Sequence, residues 1–298
     1  MFTGLCAFPL TPFKDEQFDP VAFARIINNL TDAKVDAICA MGSTGLYPYL
    51  NNDERRTVAE NAVALADGIP VMAGIGALRT RDVLHNADIV QRAGVNAVLL
   101  APMSYHHLHD EEVYALYEKV TANLSVPLCV YENPNATNFT FSDELYQAIS
   151  RLPNVAAVKI PGMPFGDKVQ GEQRLARLRE LVPDSLSIGV SADKFGVAGM
   201  RAGCDAWHSV LAGLFPKTVQ CLIQAVRDGQ GESAAMASDR LSPIWQLFVQ
   251  SKGGLRVMAT AADILGVCEG NCLPHPLKPL TGPARQELEA QLTSLQLD

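Results

Sequence analysis

The sequence has no cluster of basic residues and no long apolar segment. It holds 24 lysines and arginines against 32 aspartates and glutamates, which gives a net charge of −8. A nucleic-acid-binding domain usually carries a basic stripe, so we do not expect nucleic-acid binding. A membrane-spanning helix needs about 20 mostly apolar residues. The longest stretch without a charged side chain, residues 93–109, contains Pro102 and three histidines, so we expect no membrane partner either.

Cysteine is also sparse. The seven cysteines are an odd number and lack the spacing of a disulfide framework, which favours reduced thiols in a cytoplasmic protein. The N-terminal residues have no basic segment and are soon interrupted by Pro9 and Pro12. We therefore interpret them as a first strand rather than a signal peptide.

What the sequence does have is a repeated theme of an apolar run, a loop and a charged amphipathic stretch. The eight runs are residues 4–10, 36–41, 70–75, 97–101, 127–131, 155–160, 186–190 and 206–210. Continuous apolar runs are typical of parallel strands buried on both faces. Eight consecutive βα units predict an α/β protein with a (β/α)8 TIM barrel. A doubly wound sheet is the alternative, but Gly74-Ile75-Gly76 lacks the third glycine of a dinucleotide fingerprint.

The remainder of the chain indicates a helical appendage. Leu241, Ile244, Trp245 and Phe248 recur at the spacing of one helix face. We assign residues 1–225 to the catalytic barrel and residues 226–298 to a C-terminal helical region that packs on it.

One lysine stands out from the other eight. Lys159 alone lies inside an uninterrupted apolar strand, at the end where TIM barrels place their active sites. Burying an ammonium is costly unless it is paired or deprotonated, and an uncharged lysine amine attacks carbonyl carbons. A strand-end lysine that extends to solvent is the structural alternative.

Two further elements lie at the ends of other predicted strands. The segment Gly42-Ser43-Thr44-Gly45, called the glycine loop below, combines hydroxyls with glycines that let backbone N–H groups approach a carboxylate. Tyr131 ends the fifth run and can move protons during imine chemistry. Together with Lys159, these elements suit a Schiff base with a 2-oxo acid.

These motifs, with Thr11-Pro12-Phe13 and Asn133-Pro134, resemble the dihydrodipicolinate synthase/N-acetylneuraminate lyase superfamily of class I pyruvate-type aldolases. The resemblance implies a (β/α)8 barrel, usually a tetramer built as a dimer of dimers, that needs no metal or organic cofactor. It makes Lys159 the Schiff-base lysine and Tyr131 the proton carrier, with Ser43 in its hydroxyl relay. It assigns carboxylate binding to Thr44 and the surrounding backbone, including Gly42 and Gly45.

The sequence also departs from the family pattern. Leu46 follows the glycine loop where members often carry glutamate, and Ser104 occupies the position of an inter-subunit tyrosine, which is either shifted to Tyr105 or absent. Ala136 stands where dihydrodipicolinate synthases carry an arginine for the carboxylate of the second substrate. Without that cation a charge-assisted hydrogen bond is lost, so we predict that the chain is not a true dihydrodipicolinate synthase.

We therefore expect a Schiff-base-forming lyase, either an aldolase or a dehydratase, that acts on a pyruvate-type 2-oxo acid with a partner derived from a sugar acid. The polar, uncharged residues after Tyr131 suit hydroxyl groups, so Asn133 is a candidate substrate contact, as is Ser191 at the end of the seventh strand. Trp207 is expected to fill the barrel interior. The protein is expected to be a homotetramer or a homodimer.

Three other functions remain open at this point. The chain could be a dihydrodipicolinate synthase proper, or a sugar-acid or 2-oxo acid binding protein that has lost turnover. It could also be a metal-dependent aldolase, because His106, His107, His109 and Asp110 cluster after the fourth strand and are suitable metal ligands.

Overall fold

A computed structural model describes residues 2–298 and closes eight parallel strands into one barrel, with a separate two-stranded hairpin. The barrel strands are β1 (Gly4–Ala7), β4 (Ala37–Ala40), β5 (Val71–Gly74), β6 (Ala97–Leu100), β7 (Leu128–Tyr131), β8 (Val155–Ile160), β9 (Ser187–Val190) and β10 (Ala206–Ser209). The hairpin pairs β2 (Phe13–Lys14) with β3 (Gln17–Phe18). Each barrel strand lies within one of the eight apolar runs, so the predicted TIM barrel is confirmed.

Helices connect the strands and surround the barrel. They are α1 (Pro20–Asp32), α2 (Asn52–Leu65), α3 (Thr80–Arg92), α4 (Asp110–Thr121), α5 (Pro134–Thr137), α6 (Asp143–Ile149), α7 (Lys168–Leu181), α8 (Gly196–Ala202) and α9 (Pro216–Arg227). Their ends follow local chemistry. The Asn51 side chain accepts from the Asp53 and Glu54 amides at the start of α2, and Ser142 accepts from the Leu145 amide at the start of α6.

Four more helices form the C-terminal part. They are α10 (Gly231–Asp239), α11 (Ser242–Gln250), α12 (Leu255–Ile264) and α13 (Gly282–Leu295). The expected apolar face of α11 is present, since Ile244 and Trp245 are buried. Helix α13 packs against both α11 and α12, whereas α10 packs against α8 and α9. Of the helices in residues 2–298, none is long and apolar enough to span a bilayer.

The strand register sorts the inward side chains into layers of four. The four members of one layer come from alternate strands. From one of these strands to the next, the layer member lies two residues beyond the residue that the strand register aligns with the previous member. One layer contains Cys39, Leu99, Lys159 and His208. The layer beneath it contains Cys6, Met72, Cys129 and Gly189. The layer above it, at the mouth, contains Phe8, Gly74, Tyr131 and Ser191.

Trp207 does not fill the barrel, contrary to expectation. It belongs to the cluster between strands and helices, where it is fully buried, and its neighbour His208 points inward instead. The indole lies against α8, where a Cβ on Gly196 would be 1.9 Å from Trp207 Cε2. Its N–H donates to the Asp193 carboxylate over 3.1 Å. Because both faces of a barrel strand are buried, the apolar pattern does not reveal which residue faces inward.

The contact between Gly196 and Trp207 makes a stability prediction. Gly196 has an ordinary helical φ of −57°, so alanine suits its backbone, but the added methyl overpacks the indole. We expect Gly196→Ala to destabilise the protein by about 1–3 kcal/mol.

Urea unfolding measures this change as a lower midpoint at unchanged slope. Gly231→Ala is the control, because its Cβ would meet only the end of the flexible Arg201 side chain, at 3.0 Å. A midpoint for Gly196→Ala at or above that of Gly231→Ala would contradict the packing argument.

Candidate active site

Lys159 lies inside the barrel, close to its mouth. Its side chain is 2% exposed, and its Nζ is 3.8 Å from the centre of the Phe8 ring and 3.9 Å from that of Tyr131. Phe8 and Tyr131 are opposite members of the layer above, so the amine lies between two aromatic faces. Such faces attract a cation, but they supply no carboxylate to pair with it. The alternative of a lysine that extends to solvent is therefore wrong.

The same upper layer alternates large and small side chains. Its other two members, Gly74 and Ser191, face each other across the barrel. The two aromatic walls enclose the amine. The space beside Gly74 is taken by the Met41 carbonyl, which would lie 1.9 Å from a Cβ there, whereas Ser191 is half-buried at the mouth.

Ser43, Tyr131 and Asn133 form a chain of polar groups at this mouth. Ser43 Oγ is 3.5 Å from the Tyr131 hydroxyl, and Asn133 Nδ2 donates to Ser43 Oγ over 3.4 Å. The glycine loop and the end of β7 are therefore adjacent, although 88 residues separate Ser43 from Tyr131 in sequence. The structure thus brings together Ser43 and Tyr131, the pair to which the resemblance assigns a hydroxyl relay, and places Asn133 beside them.

The glycine loop is shaped by close packing. A Cβ on Gly42 would lie 2.4 Å from the Phe8 ring, and one on Gly45 would lie 2.6 Å from the Met41 nitrogen. The Thr44 hydroxyl is buried and donates to the Phe8 carbonyl over 3.2 Å. Thr44 therefore fixes the loop to the end of β1, and this donor is already engaged.

The loop offers backbone donors to an anion. Its turn is closed by the Leu46 and Tyr47 amides, which donate to the Ser43 and Gly42 carbonyls. The amides of residues 43–45 donate to no carbonyl or side chain within residues 2–298. Adjacent unpaired N–H groups favour a carboxylate.

Two other predicted contacts, Tyr105 and Ser191, make no hydrogen bond to Ser43, Tyr131 or Asn133 within the described residues. Tyr105 is 86% exposed, and its ring packs only edge-on against His106, with a centroid separation of 5.2 Å. Ser191 lies at the mouth, but its hydroxyl donates to the Ile160 carbonyl over 2.8 Å, which leaves its oxygen free as an acceptor. Asp193 caps the turn after β10, where it accepts from the Val210 and Leu211 amides.

The histidines after the fourth run do not converge on a metal site. His107 Nδ1 is 3.4 Å from the Asn138 carbonyl, and His109 precedes α4, where its amide donates to Glu112. Within residues 2–298, no three His, Cys, Asp or Glu side chains are grouped to hold an ion. The alternative of a metal-dependent aldolase therefore has no geometric support among these residues.

Sequence reasoning missed His208, which lies in the same layer as Lys159. Gly189 belongs to β9, the strand between those of Lys159 and His208. A Cβ on Gly189 would lie 2.3 Å from His208 Nε2, so the imidazole fills the space that this glycine leaves. Its Nδ1 is buried without a hydrogen-bond partner. Burial, and then the nearby charge of Lys159, hold the pKa of His208 well below its usual 6.5. The only available signal was a polar residue within an apolar strand.

Glu132, next to Tyr131, is a second buried polar residue at this end. Its carboxylate accepts from the Tyr146 hydroxyl and from the Phe141 amide, the latter over 3.1 Å. Burial raises its pKa above the ordinary value. The contact joins the end of β7 to α6 and fixes the loop that follows Asn133.

A buried lysine next to a tyrosine hydroxyl at the mouth of a closed barrel is typical of one class of enzyme, the class I aldolases. The sequence comparisons identify the family within this class. The model of the dihydrodipicolinate synthetase family matches residues 1–295. The chain belongs to this family.

Individual relatives agree with this assignment. The 4-hydroxy-tetrahydrodipicolinate synthase of Rickettsia typhi (strain ATCC VR-144 / Wilmington) is 26% identical over 298 residues, which covers 100% of this chain and 98% of the relative. A dihydrodipicolinate synthase structure from Agrobacterium tumefaciens superposes with a TM-score of 0.93 at 40% identity, covering 99% of this chain and 98% of that one. A structure described as the first monomeric dihydrodipicolinate synthase variant gives a TM-score of 0.91 at 25% identity, covering 100% and 98%.

His208 gives a prediction on pH. Its pKa is lower in the folded than in the unfolded protein, so below about pH 6.5 the unfolded chain binds a proton that the folded chain excludes. Stability is therefore lost as the pH falls. We expect His208→Leu to reduce the loss of unfolding free energy between pH 7.5 and 5.5 by about 1 kcal/mol.

Urea unfolding of wild type and variant at the two pH values measures the difference. At pH 7.5 the variant should be as stable as wild type or more so, because the unpaired Nδ1 is removed. His85→Gln, at an exposed site on α3, is the control. An unchanged pH dependence in His208→Leu would show that His208 is not the titrating group.

Proposed function

We propose that this enzyme is a Schiff-base lyase in which Lys159 condenses with a pyruvate-type 2-oxo acid. The observation that carries the proposal is the desolvated amine between the Phe8 and Tyr131 rings, 3.8 and 3.9 Å from their centres. Among residues 2–298, no carboxylate forms an ion pair with this nitrogen. A buried amine beside a hydroxyl relay and an anion site suits a reaction with a carbonyl compound that also bears a carboxylate.

The chemistry follows in four steps. The Lys159 amine, in its unprotonated form, adds to C2 of the 2-oxo acid, and the C2 oxygen leaves as water to give an imine that is protonated on Nζ. Loss of a proton from C3 converts this electron sink to an enamine. The enamine attacks an aldehyde carbon and forms a carbon–carbon bond. Water then hydrolyses the imine and releases the product, and the reverse sequence cleaves the same bond.

The neighbouring groups supply what these steps need. The Tyr131 hydroxyl, with Ser43 Oγ at 3.5 Å, can pass the protons that the carbinolamine gains and loses. The free amides of residues 43–45 can bind the carboxylate of the 2-oxo acid, and Thr44 holds that loop in place. Ser191, small and half-buried at the mouth, is the candidate contact for the remainder of the substrate. No metal or organic cofactor is needed in this scheme.

The second substrate is proposed to be an aldehyde derived from a sugar acid. The loop after Tyr131 carries exposed Asn135, Asn138 and Thr140, which suit hydroxyl groups, and Ala136 is exposed there without a charge. The competing candidate is dihydrodipicolinate synthase activity, which is favoured by the names of the relatives.

We further propose that the protein forms a dimer or tetramer and works in a reducing compartment. An exposed aromatic such as Tyr105, 86% accessible at the mouth of an isolated chain, suits contact with a second subunit in a dimer or tetramer. The seven cysteines are unpaired, which suits a reducing compartment such as the cytoplasm.

Trapping tests the imine directly. The protein is incubated with pyruvate, reduced with borohydride and digested, and the adduct is located by mass spectrometry. We expect one adduct, on Lys159, and none in Lys159→Met. Lys194, which follows the neighbouring strand β9, is the matched control, and Lys194→Met should retain the adduct. An adduct on another lysine, or none at saturating pyruvate, would contradict the proposal.

Tyr131→Phe separates proton transfer from binding. The variant keeps the aromatic wall beside Lys159 and loses the hydroxyl that lies 3.5 Å from Ser43. We expect kcat on an active 2-oxo acid substrate to fall by about 100-fold, within the usual range for general acid–base groups. The pyruvate concentration that half-saturates trapping should change little. Full turnover by Tyr131→Phe would remove this hydroxyl from the mechanism.

Ala136 separates the two candidate reactions. We expect kcat/KM with pyruvate and aspartate semialdehyde to be at least about 100-fold below that with the best sugar-acid aldehyde, since a missing charge-assisted hydrogen bond costs about 1.5–3 kcal/mol or more. Ala136→Arg should raise kcat/KM with pyruvate and aspartate semialdehyde. Efficient turnover of aspartate semialdehyde by the wild type would instead make the chain a dihydrodipicolinate synthase.

A further inference from the structure

A buried arginine without an acidic partner lies behind the glycine loop. Arg55, in α2, is 3% exposed. Its two terminal nitrogens donate to the Gly74 carbonyl over 2.9 Å and to the Tyr47 carbonyl over 2.8 Å, while Nε has no partner. Within residues 2–298, no carboxylate contacts it. The adjacent acids are used otherwise: Asp53 pairs with Arg56, and Glu54 accepts from the Asn51 amide.

Burying Arg55 in this way lowers the stability of the folded protein. A buried charge is normally compensated by an opposite charge, and here only carbonyl dipoles face it. Burial lowers the pKa of Arg55 from 12.5 to about 10, so the guanidinium is still charged at neutral pH. A hydrophobic residue could fill the same space without this cost, so packing alone does not account for an arginine.

The backbone that Arg55 contacts is itself strained. Met41 and Leu46, which flank the glycine loop, have left-handed φ values of 54° and 62°. Such conformations cost about 1–3 kcal/mol each in residues other than glycine and persist only where surrounding contacts impose them. Neither end of the loop therefore keeps its shape by local preference.

Arg55 reaches both ends of this strained segment. Its Nη1 lies 4.0 Å from Met41 Sδ, and its Nη2 binds the Tyr47 carbonyl directly after Leu46. Its third contact, the Gly74 carbonyl, belongs to the strand packed against Met41, because a Cβ on Gly74 would lie 1.9 Å from the Met41 oxygen. One guanidinium thus joins the start of the loop, its end and the neighbouring strand.

We infer that Arg55 is a positioning residue for the carboxylate site. It clamps Met41, Tyr47 and Gly74 so that the free amides of residues 43–45 converge, and its uncompensated positive charge lies behind the place where an anion binds. The inference rests on the proposed function only in naming the anion as the carboxylate of a 2-oxo acid.

A merely structural arginine would behave differently. Its loss would lower stability and leave the affinity for pyruvate unchanged in the molecules that remain folded. Loss of a positioning residue instead raises the pyruvate concentration needed for imine formation, while the trapping rate at saturation is preserved.

The experiment compares Arg55→Met, Arg55→Lys and the control Arg56→Met, all well below their unfolding temperatures. Arg56 is the next residue of α2, 52% exposed, with an ion pair only to Asp53. The readout is the pyruvate concentration that half-saturates borohydride trapping. We expect an increase of about tenfold or more in Arg55→Met, which corresponds to about 1.4 kcal/mol, and none in Arg56→Met.

Arg55→Lys divides the effect into charge and geometry. Lysine keeps the charge but not the planar fork that binds two carbonyls, so it should give an intermediate value. Equal half-saturation in Arg55→Met and Arg56→Met would overturn the inference.

Hydrogen exchange tests the clamp without any ligand. In Arg55→Met the amides of residues 42–47 should exchange faster than in Arg56→Met, whereas those of a distant segment such as α9 should not. Equal exchange in the loop would overturn the inference. If the wild type formed no adduct with pyruvate, the proposed function would fail, and this measurement would still decide whether Arg55 holds the loop.

Discussion

The desolvation of a single amine is the constraint on which the rest of the site depends. The register of the closed barrel places Lys159 in a layer of inward side chains and puts Phe8 and Tyr131 opposite each other in the layer above it. The two rings exclude water from the nitrogen without supplying a counter-charge. Between the two rings lie the small residues Gly74 and Ser191, of which Gly74 packs against the Met41 carbonyl and Ser191 is half-buried. A lysine in this position is costly for folding, and that cost is consistent with a nucleophile rather than a structural cation.

Around this amine, the fold combines rigid strands with a loop that has to be held. The strands fix Lys159 and Tyr131 through backbone hydrogen bonds, and the Glu132 carboxylate ties the end of β7 to α6. The glycine loop has no such support of its own. Its approach to Tyr131 depends on Thr44, which bonds to the end of β1, and on Arg55, which contacts the strained backbone from behind. Chemistry and positioning are thus divided between the interior of the barrel and its outer layer.

Much of the fold and part of the site could be predicted from the sequence. The eight apolar runs contain the eight strands, and Lys159 was recognisable because no other lysine interrupts such a run. The direction of each side chain was not predictable, since strands buried on both faces show no alternation. Trp207 was therefore expected inside and His208 was overlooked. Arg55 gave no signal because an arginine in a charged helix looks exposed, and only the tertiary fold brings it to the Tyr47 and Gly74 carbonyls.

A crystal structure of the protein reduced by borohydride in the presence of pyruvate would test the central claim most directly. The account predicts continuous density between Lys159 Nζ and C2 of the ligand, with the ligand carboxylate within hydrogen-bond distance of the amides of residues 43–45. It also predicts the Tyr131 hydroxyl beside the new bond. Density for a ligand attached elsewhere, or a carboxylate turned away from the glycine loop, would contradict it.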